Sequence, residues 1–183
     1  EVQSVINEYS TDEQWGPKPM RTVTLIAGTT YETTDTLTLK SGIRLDCNGA
    51  LIRPQGDFNT LELGRDTVVQ EPRINVADVD EYTSACITVT PTTGNIGTPN
   101  PARIADCHLY NDTWSGVGIQ FKADSNPIAM QRANGIIDNF DRGVEFRAEG
   151  TGTGSQDGWC NGNRFDGAIN GSRIPVYLNA ING

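Results

Sequence analysis

The chain has 183 residues, of which 23 are acidic and 14 basic, giving a formal net charge of −9; that length suits one domain with room for a real core. No run of 18 apolar residues is present, which excludes a transmembrane helix, and the acid excess argues against DNA or RNA as a partner, since neutralising phosphates needs a basic face. With Lys18, Lys40 and Lys122 as the lysines, the charge also points to a high-salt habitat, where screening cancels surface self-repulsion.

The first residues differ in texture from the rest. No basic segment followed by an apolar one opens the chain, so no signal peptide is expected, and a start at Glu1 without Met reads as a piece processed from something longer. Ser10-Thr11-Asp12-Glu13 has the S-x-x-E form of a capping box and predicts a short helix ending before Gly16-Pro17. Residues 1–21 are therefore expected to be a connector, or a cap over strand edges that would otherwise stay unpaired.

From Thr22 onward the apolar residues fall in short alternating bursts separated by Gly, Thr, Asn and Asp, the pattern of half-buried strands. Leu37/Leu39 recurs as Leu61/Leu63, Ile87/Val89, Ile119/Phe121, Val144/Phe146 and Val176/Leu178, at steps of 24 to 32 residues. A second column runs Val76, Leu109, Ile137, Phe165. Repeats of this length mean a solenoid, propeller or array. Two or three strands per unit are too few for a propeller blade, and no window has the period of a helical repeat. The expectation is an all-β chain, a single-stranded parallel β-helix of about six coils over residues 22–183. Coils would stack at roughly 4.8 Å, with long steps absorbed in projecting loops such as residues 92–102, 123–127 and 150–158.

Gly28, Tyr31, Leu37, Leu39, Ser41, Gly42, Ile43, Leu45, Asn48, Gly49 and Ala50 resemble the opening coils of pectin-lyase-like right-handed β-helix proteins, and Gly135 to Ala148 resembles a later unit. The resemblance covers about Thr22 to Asn182. That superfamily holds polysaccharide lyases and hydrolases as well as trimeric tailspikes and fibres of tailed viruses, so it implies a fold and a carbohydrate-facing habit more than one activity.

The four cysteines, Cys47, Cys86, Cys107 and Cys160, include no C-x-x-C pair, which argues against a structural zinc site. Cys47 and Cys107 share the parity of core residues, and a Cys86 to Cys107 disulfide is left open. Gly28, Gly42 and Gly49 are read as structural corner residues. Asp78, Asn111 and Asn139, each two residues after a member of the second column, are read as a structural ladder of turn amides.

Asp138 and Asp166 each follow a second-column residue by one, so the predicted register sets them one coil apart, roughly 5 Å, the carboxylate spacing of a retaining glycosidase. With Arg142 they form the candidate catalytic set, and the same two carboxylates would suit Ca²⁺. No other cofactor is expected. His108 falls on the outward parity with no nucleophile placed beside it. Trp114, in a corner, Trp159, at the end of a Gly-rich loop, and Tyr110 are the candidate ligand-binding aromatics, because exposed aromatic faces stack on sugar rings.

Six coils are few for an enzyme of the superfamily. The resemblance, the acidity and the missing Met together imply a virion component, such as a tail fibre, spike or capsid-decoration module. It is expected to be a homotrimer on the virion surface or outside the cell, beside other virion or surface proteins, meeting a host glycan and inserting in no membrane. The alternatives are a polysaccharide lyase or glycoside hydrolase acting through Asp138, Asp166 and Arg142, and a purely structural shaft.

Overall fold

The structure, a computed structural model, describes residues 2–9, 20–90, 101–123, 128–149 and 160–181. Within them one helix, α1 (Val2–Tyr9), precedes seventeen strands. Those of the first half are short: β1 (Arg21–Thr24), β2 (Thr30–Thr33), β3 (Leu37–Leu39), β4 (Ile43–Asp46), β5 (Leu51–Pro54), β6 (Leu61–Leu63), β7 (Val68–Gln70), β8 (Arg73–Asn75) and β9 (Ala85–Val89). Longer strands follow, namely β10 (Arg103–Tyr110), β11 (Val117–Ala123), β13 (Arg132–Asp138), β14 (Arg142–Glu149), β16 (Arg164–Asn170) and β17 (Ile174–Ile181), with the two-residue β12 (Ile128–Ala129) and β15 (Cys160–Asn161) paired to each other.

All pairing is parallel, in a nine-stranded and a six-stranded sheet. The six-stranded sheet runs β3-β6-β9-β11-β14-β17, and its register stacks the six apolar pairs read from the sequence directly on one another, from Leu37/Leu39 on Leu61/Leu63 to Val144/Phe146 on Val176/Leu178. The nine-stranded sheet is built differently in its two halves. β1 and β4 lead through β7 to the first part of β10, and β2 and β5 lead through β8 to its second part, so two short strands and a corner give way to one long strand in β10, β13 and β16. The change happens at Ala105-Asp106, where the register slips, Asp106 takes φ +55, and the inward-outward alternation of β10 shifts phase.

The second column is corrected here. Ile74, not Val76, stacks on Leu109, and Ile169, not Phe165, stacks on Ile137, while Phe165 lies beside Ala133. The inward ladders of this sheet are Val23, Leu45, Val69, Ile104, Ala133, Phe165 and Ile52, Ile74, Leu109, Ile137, Ile169. A slip of two or four residues keeps a side chain on the same face of a strand, so alternation alone does not set the register.

The helix sits ahead of the predicted capping box, whose residues lie outside the described ones. It seals a sheet edge. Thr38 in β3 points its N–H and C=O away from β6, and the Gln3 side chain meets both, accepting from Thr38 N at 2.8 Å and donating to Thr38 O at 3.3 Å, while Ile6 is fully buried. One amide thus stands in for a neighbouring strand. At the far end Val176 and Leu178 are 52% and 74% exposed although Val144, one rung earlier, is 0%.

All four cysteines are free, with Cys47, Cys86 and Cys107 buried. Burial pushes the thiols of Cys47 and Cys107 up to about 12 and that of Cys160 up to about 11, so at neutral pH they are inert thiols. Gly28, Gly42 and Gly49 occupy corners at φ +70, +82 and +72. Among the described residues no helix is long and apolar enough to cross a membrane.

Asp57 ties two successive corners together. Its carboxylate accepts from Thr83 N and Ser84 N, each at 2.9 Å, and from Thr83 Oγ1 at 2.6 Å. Slight burial raises its pKa, but these hydrogen bonds outweigh that and hold it below the ordinary carboxylate value. A depressed folded pKa contributes stability that is present above the unfolded value near 4 and is lost as pH falls through the folded one. Acid titration should therefore show wild type more stable than Asp57→Asn at neutral pH, with the gap closing on acidification. A gap that stays constant with pH would remove the linkage.

Candidate functional site

The outward face of the nine-stranded sheet, over β8, β10, β13 and β16, carries the polar side chains. Two aspartates organise it. Asp106, placed outward by the bulge, accepts from Gln70 Nε2 at 3.1 Å and from Asn134 Nδ2 at 2.8 Å, joining β7, β10 and β13. Asp138 accepts from His108 Nε2 at 3.1 Å and from Asn170 Nδ2 at 2.8 Å, joining β10, β13 and β16. Each carboxylate is thereby held by donors from the strands on either side, and neither aspartate depends on a flexible loop.

Between the two networks lies an open depression of about 730 Å³, bordered by Glu71, Arg73, Asp106, His108, Asn134 and Asp166. Its floor is strand backbone at Gly135 and Gly167, with Ile136 42% exposed beside them. The glycines follow from the bulge. Gly135 has φ +144, and a methyl there would overlap the Cys107 carbonyl and amide; a methyl at Gly167 would overlap the Gly135 backbone. β13 and β16 can close on β10 at this level because those positions lack a Cβ.

The candidate catalytic set does not assemble. Asp138 stands beside Asn170 and Asp166 beside Asn134, four residues apart along the register, because Ile169 and not Phe165 stacks on Ile137. Asp166 is paired instead with Arg164 Nε at 2.6 Å. Arg142 belongs to the other sheet, where it bonds the buried Glu145 at 3.0 Å and lies 5.0 Å from the Tyr177 ring centre. The shared Ca²⁺ position fails for the same reason, and among the described residues no group of three or more His, Cys, Asp or Glu side chains is placed to hold a metal ion.

Asn111 and Asn139 are rung neighbours, as Leu109 and Ile137 are, but Asp78 is not one of them and pairs with Arg53 at 3.5 Å. Buried Asn111 folds its own corner: its Oδ1 accepts from Asp112 N, Thr113 N and Thr113 Oγ1, and its Nδ2 donates to Ser115 O at 2.9 Å. That corner presents Trp114, 46% exposed at φ +50, whose indole N–H donates to Gly171 O at 2.7 Å. The ring therefore reaches past the rung of Asn139 to the residue after Asn170, at the end of the Asp138 network. Tyr110, 37% exposed, stands on the rung of Asp138. Trp159 lies outside the described residues.

His108 faces outward as its parity indicates, its side chain 52% exposed. Asp106, Asn134, Asn170 and Arg73 were not singled out in the sequence. A signal for Asn134 exists in Arg132-Ala-Asn-Gly and Arg164-Phe-Asp-Gly, a repeated R-x-N/D-G that aligns Asn134 with Asp166 in the observed register. The chemistry on offer is a rigid lattice of donors and acceptors with exposed aromatic rings at one end, an arrangement suited to binding polyhydroxylated ligands. Comparison with protein-family models, curated proteins and solved structures finds no match to this chain.

Proposed function

We propose that this chain is a right-handed parallel β-helix module that attaches a virion, as part of a trimeric fibre, spike or decoration, to a glycan on a host surface. The supporting observation is the Asp138 network: a carboxylate fixed by His108 and Asn170, with Tyr110 on its rung and Trp114 at its end. Sugar hydroxyls need fixed donors and acceptors, and sugar rings need an aromatic face. Asp138 and Asp166 stand four residues apart in register and each is engaged by its own neighbours, so the arrangement supports binding over a two-carboxylate hydrolysis.

The test is to incubate the chain in concentrated salt with surface polysaccharide from halophilic hosts and to follow both retention and polymer length. The expected result is retention without shortening, weakened about tenfold by Trp114→Ala combined with Asp138→Ala, the loss of one stacking face and one charged hydrogen-bond centre. Shortening of the polymer would replace this reading by a lyase or hydrolase. Absence of retention would leave a structural shaft. Sedimentation as a monomer in the same buffer would remove the trimeric fibre.

A further inference from the structure

We infer that Arg103, Arg132 and Arg164 form a recognition column for the acidic groups of an anionic glycan, carboxylate or sulfate, a proposal that rests on the glycan reading above and names its ligand class. The register places the three arginines on successive strands, Arg103 beside Arg132 and Arg132 beside Arg164. Strand spacing separates neighbouring backbones by about 4.8 Å. All three are exposed, on a chain with net charge −9. Arg164 shares its charge with Asp166, whereas Arg103 and Arg132 are like charges directly across neighbouring strands, which repel and so leave a local demand for anions.

The backbone under the column is built. Each arginine N–H donates to the preceding strand or connection: Arg103 to Thr67 O at 2.9 Å, Arg132 to Ala102 O at 3.3 Å and Arg164 to Gln131 O at 2.9 Å. A spine of amides fixes the residues just before them. Gln131, nearly buried, accepts from Ala102 N at 2.6 Å and donates to Ala129 O at 2.6 Å, while Asn163 accepts from Gln131 N at 3.0 Å. The carboxylates nearby are already engaged, Asp106 by two amides and Asp166 by Arg164. Arg103 and Arg132 have no ion pair among the described residues, which leaves two guanidinium forks turned to solvent. A planar fork matches a carboxylate or sulfate with two parallel hydrogen bonds, and a row of forks matches a polymer that repeats its charge.

Titration calorimetry of the full chain with alginate, carrageenan, carboxyl-reduced alginate, agarose and polyglutamate tests this at low and at high salt. An acidic polysaccharide should bind at least about tenfold more tightly than its neutral counterpart, and Arg103→Ala/Arg132→Ala should weaken it by about thirtyfold while Arg103→Lys/Arg132→Lys loses less. Preference for alginate assigns the carboxylate source and preference for carrageenan the sulfate source. The two arginines are exposed, so unchanged melting of both variants confirms folding. Equal binding of acidic and neutral polymers, or an unaltered double-alanine variant, overturns the column. Tighter binding of polyglutamate than of either acidic polysaccharide overturns the glycan assignment. Retention of host polysaccharide in the preceding experiment, with no binding of any acidic probe, overturns the column alone and leaves the glycan reading standing.

Discussion

Gly135→Ala should destabilise the fold by more than about 3 kcal/mol, and a loss that size consumes much of the marginal stability of an ordinary domain. Two independent effects add. At φ +144 any side chain is strained, and the methyl would sit on the carbonyl and amide of Cys107 in the neighbouring strand, where no flexible side chain can give way. The strand must then separate from the bulge at Asp106, and Gly167, packed on Gly135 in turn, loses its seat. Gly28→Ala is the control. It also has positive φ, but nothing lies within 4 Å of the added carbon, so its cost should be the conformational one of about 1–2 kcal/mol. Urea unfolding of the two variants at one salt concentration measures the difference, and equal losses would show that β13 does not close on β10 as described.

Phe121→Ala is the second large effect, about 3–5 kcal/mol by lost burial and the cavity left behind. Phe121 is fully buried in β11, with Val89 on one side and Phe146 on the other, its ring stacked on that of Phe146 at 5.1 Å between centres. Leu178→Ala, in the same column two rungs further on, removes a side chain that is 74% exposed and should cost less than about 1 kcal/mol. The pair tests the stacking itself. If both alanine variants lost similar stability, the column would not be an ordered ladder ending at β17.

The binding face was partly legible in the sequence. Parity alone put His108, Tyr110 and Asp138 outward, because neighbours two apart along a strand share a face. What parity lacks is the partner across the sheet. The predicted adjacency of Asp138 and Asp166 rested on aligning Phe165 with Ile137, and alternation is equally satisfied by Ala133, which is the residue that Phe165 meets. The repeated R-x-N/D-G of residues 132–135 and 164–167 carried the right answer, since its glycines must lie where the backbones come closest. Arg142 was near Asp138 in number, but a corner at Asn139 to Asp141 carries the chain into the other sheet.

By itself the sequence determined the strand-rich class, the parallel stacking of the six apolar pairs from Leu37/Leu39 to Val176/Leu178, and the outward parity of the polar residues, all consequences of a two-residue period and of one apolar pair recurring every 24 to 32 residues. Tertiary structure alone decided which polar residues meet. The bulge at Asp106 merges two short strands into one and shifts the facing of the rest of β10, and the glycines opposite select one register from several that bury the same apolar residues. A period describes a single strand, whereas register is a relation between strands, fixed by close backbone contact that no one strand encodes.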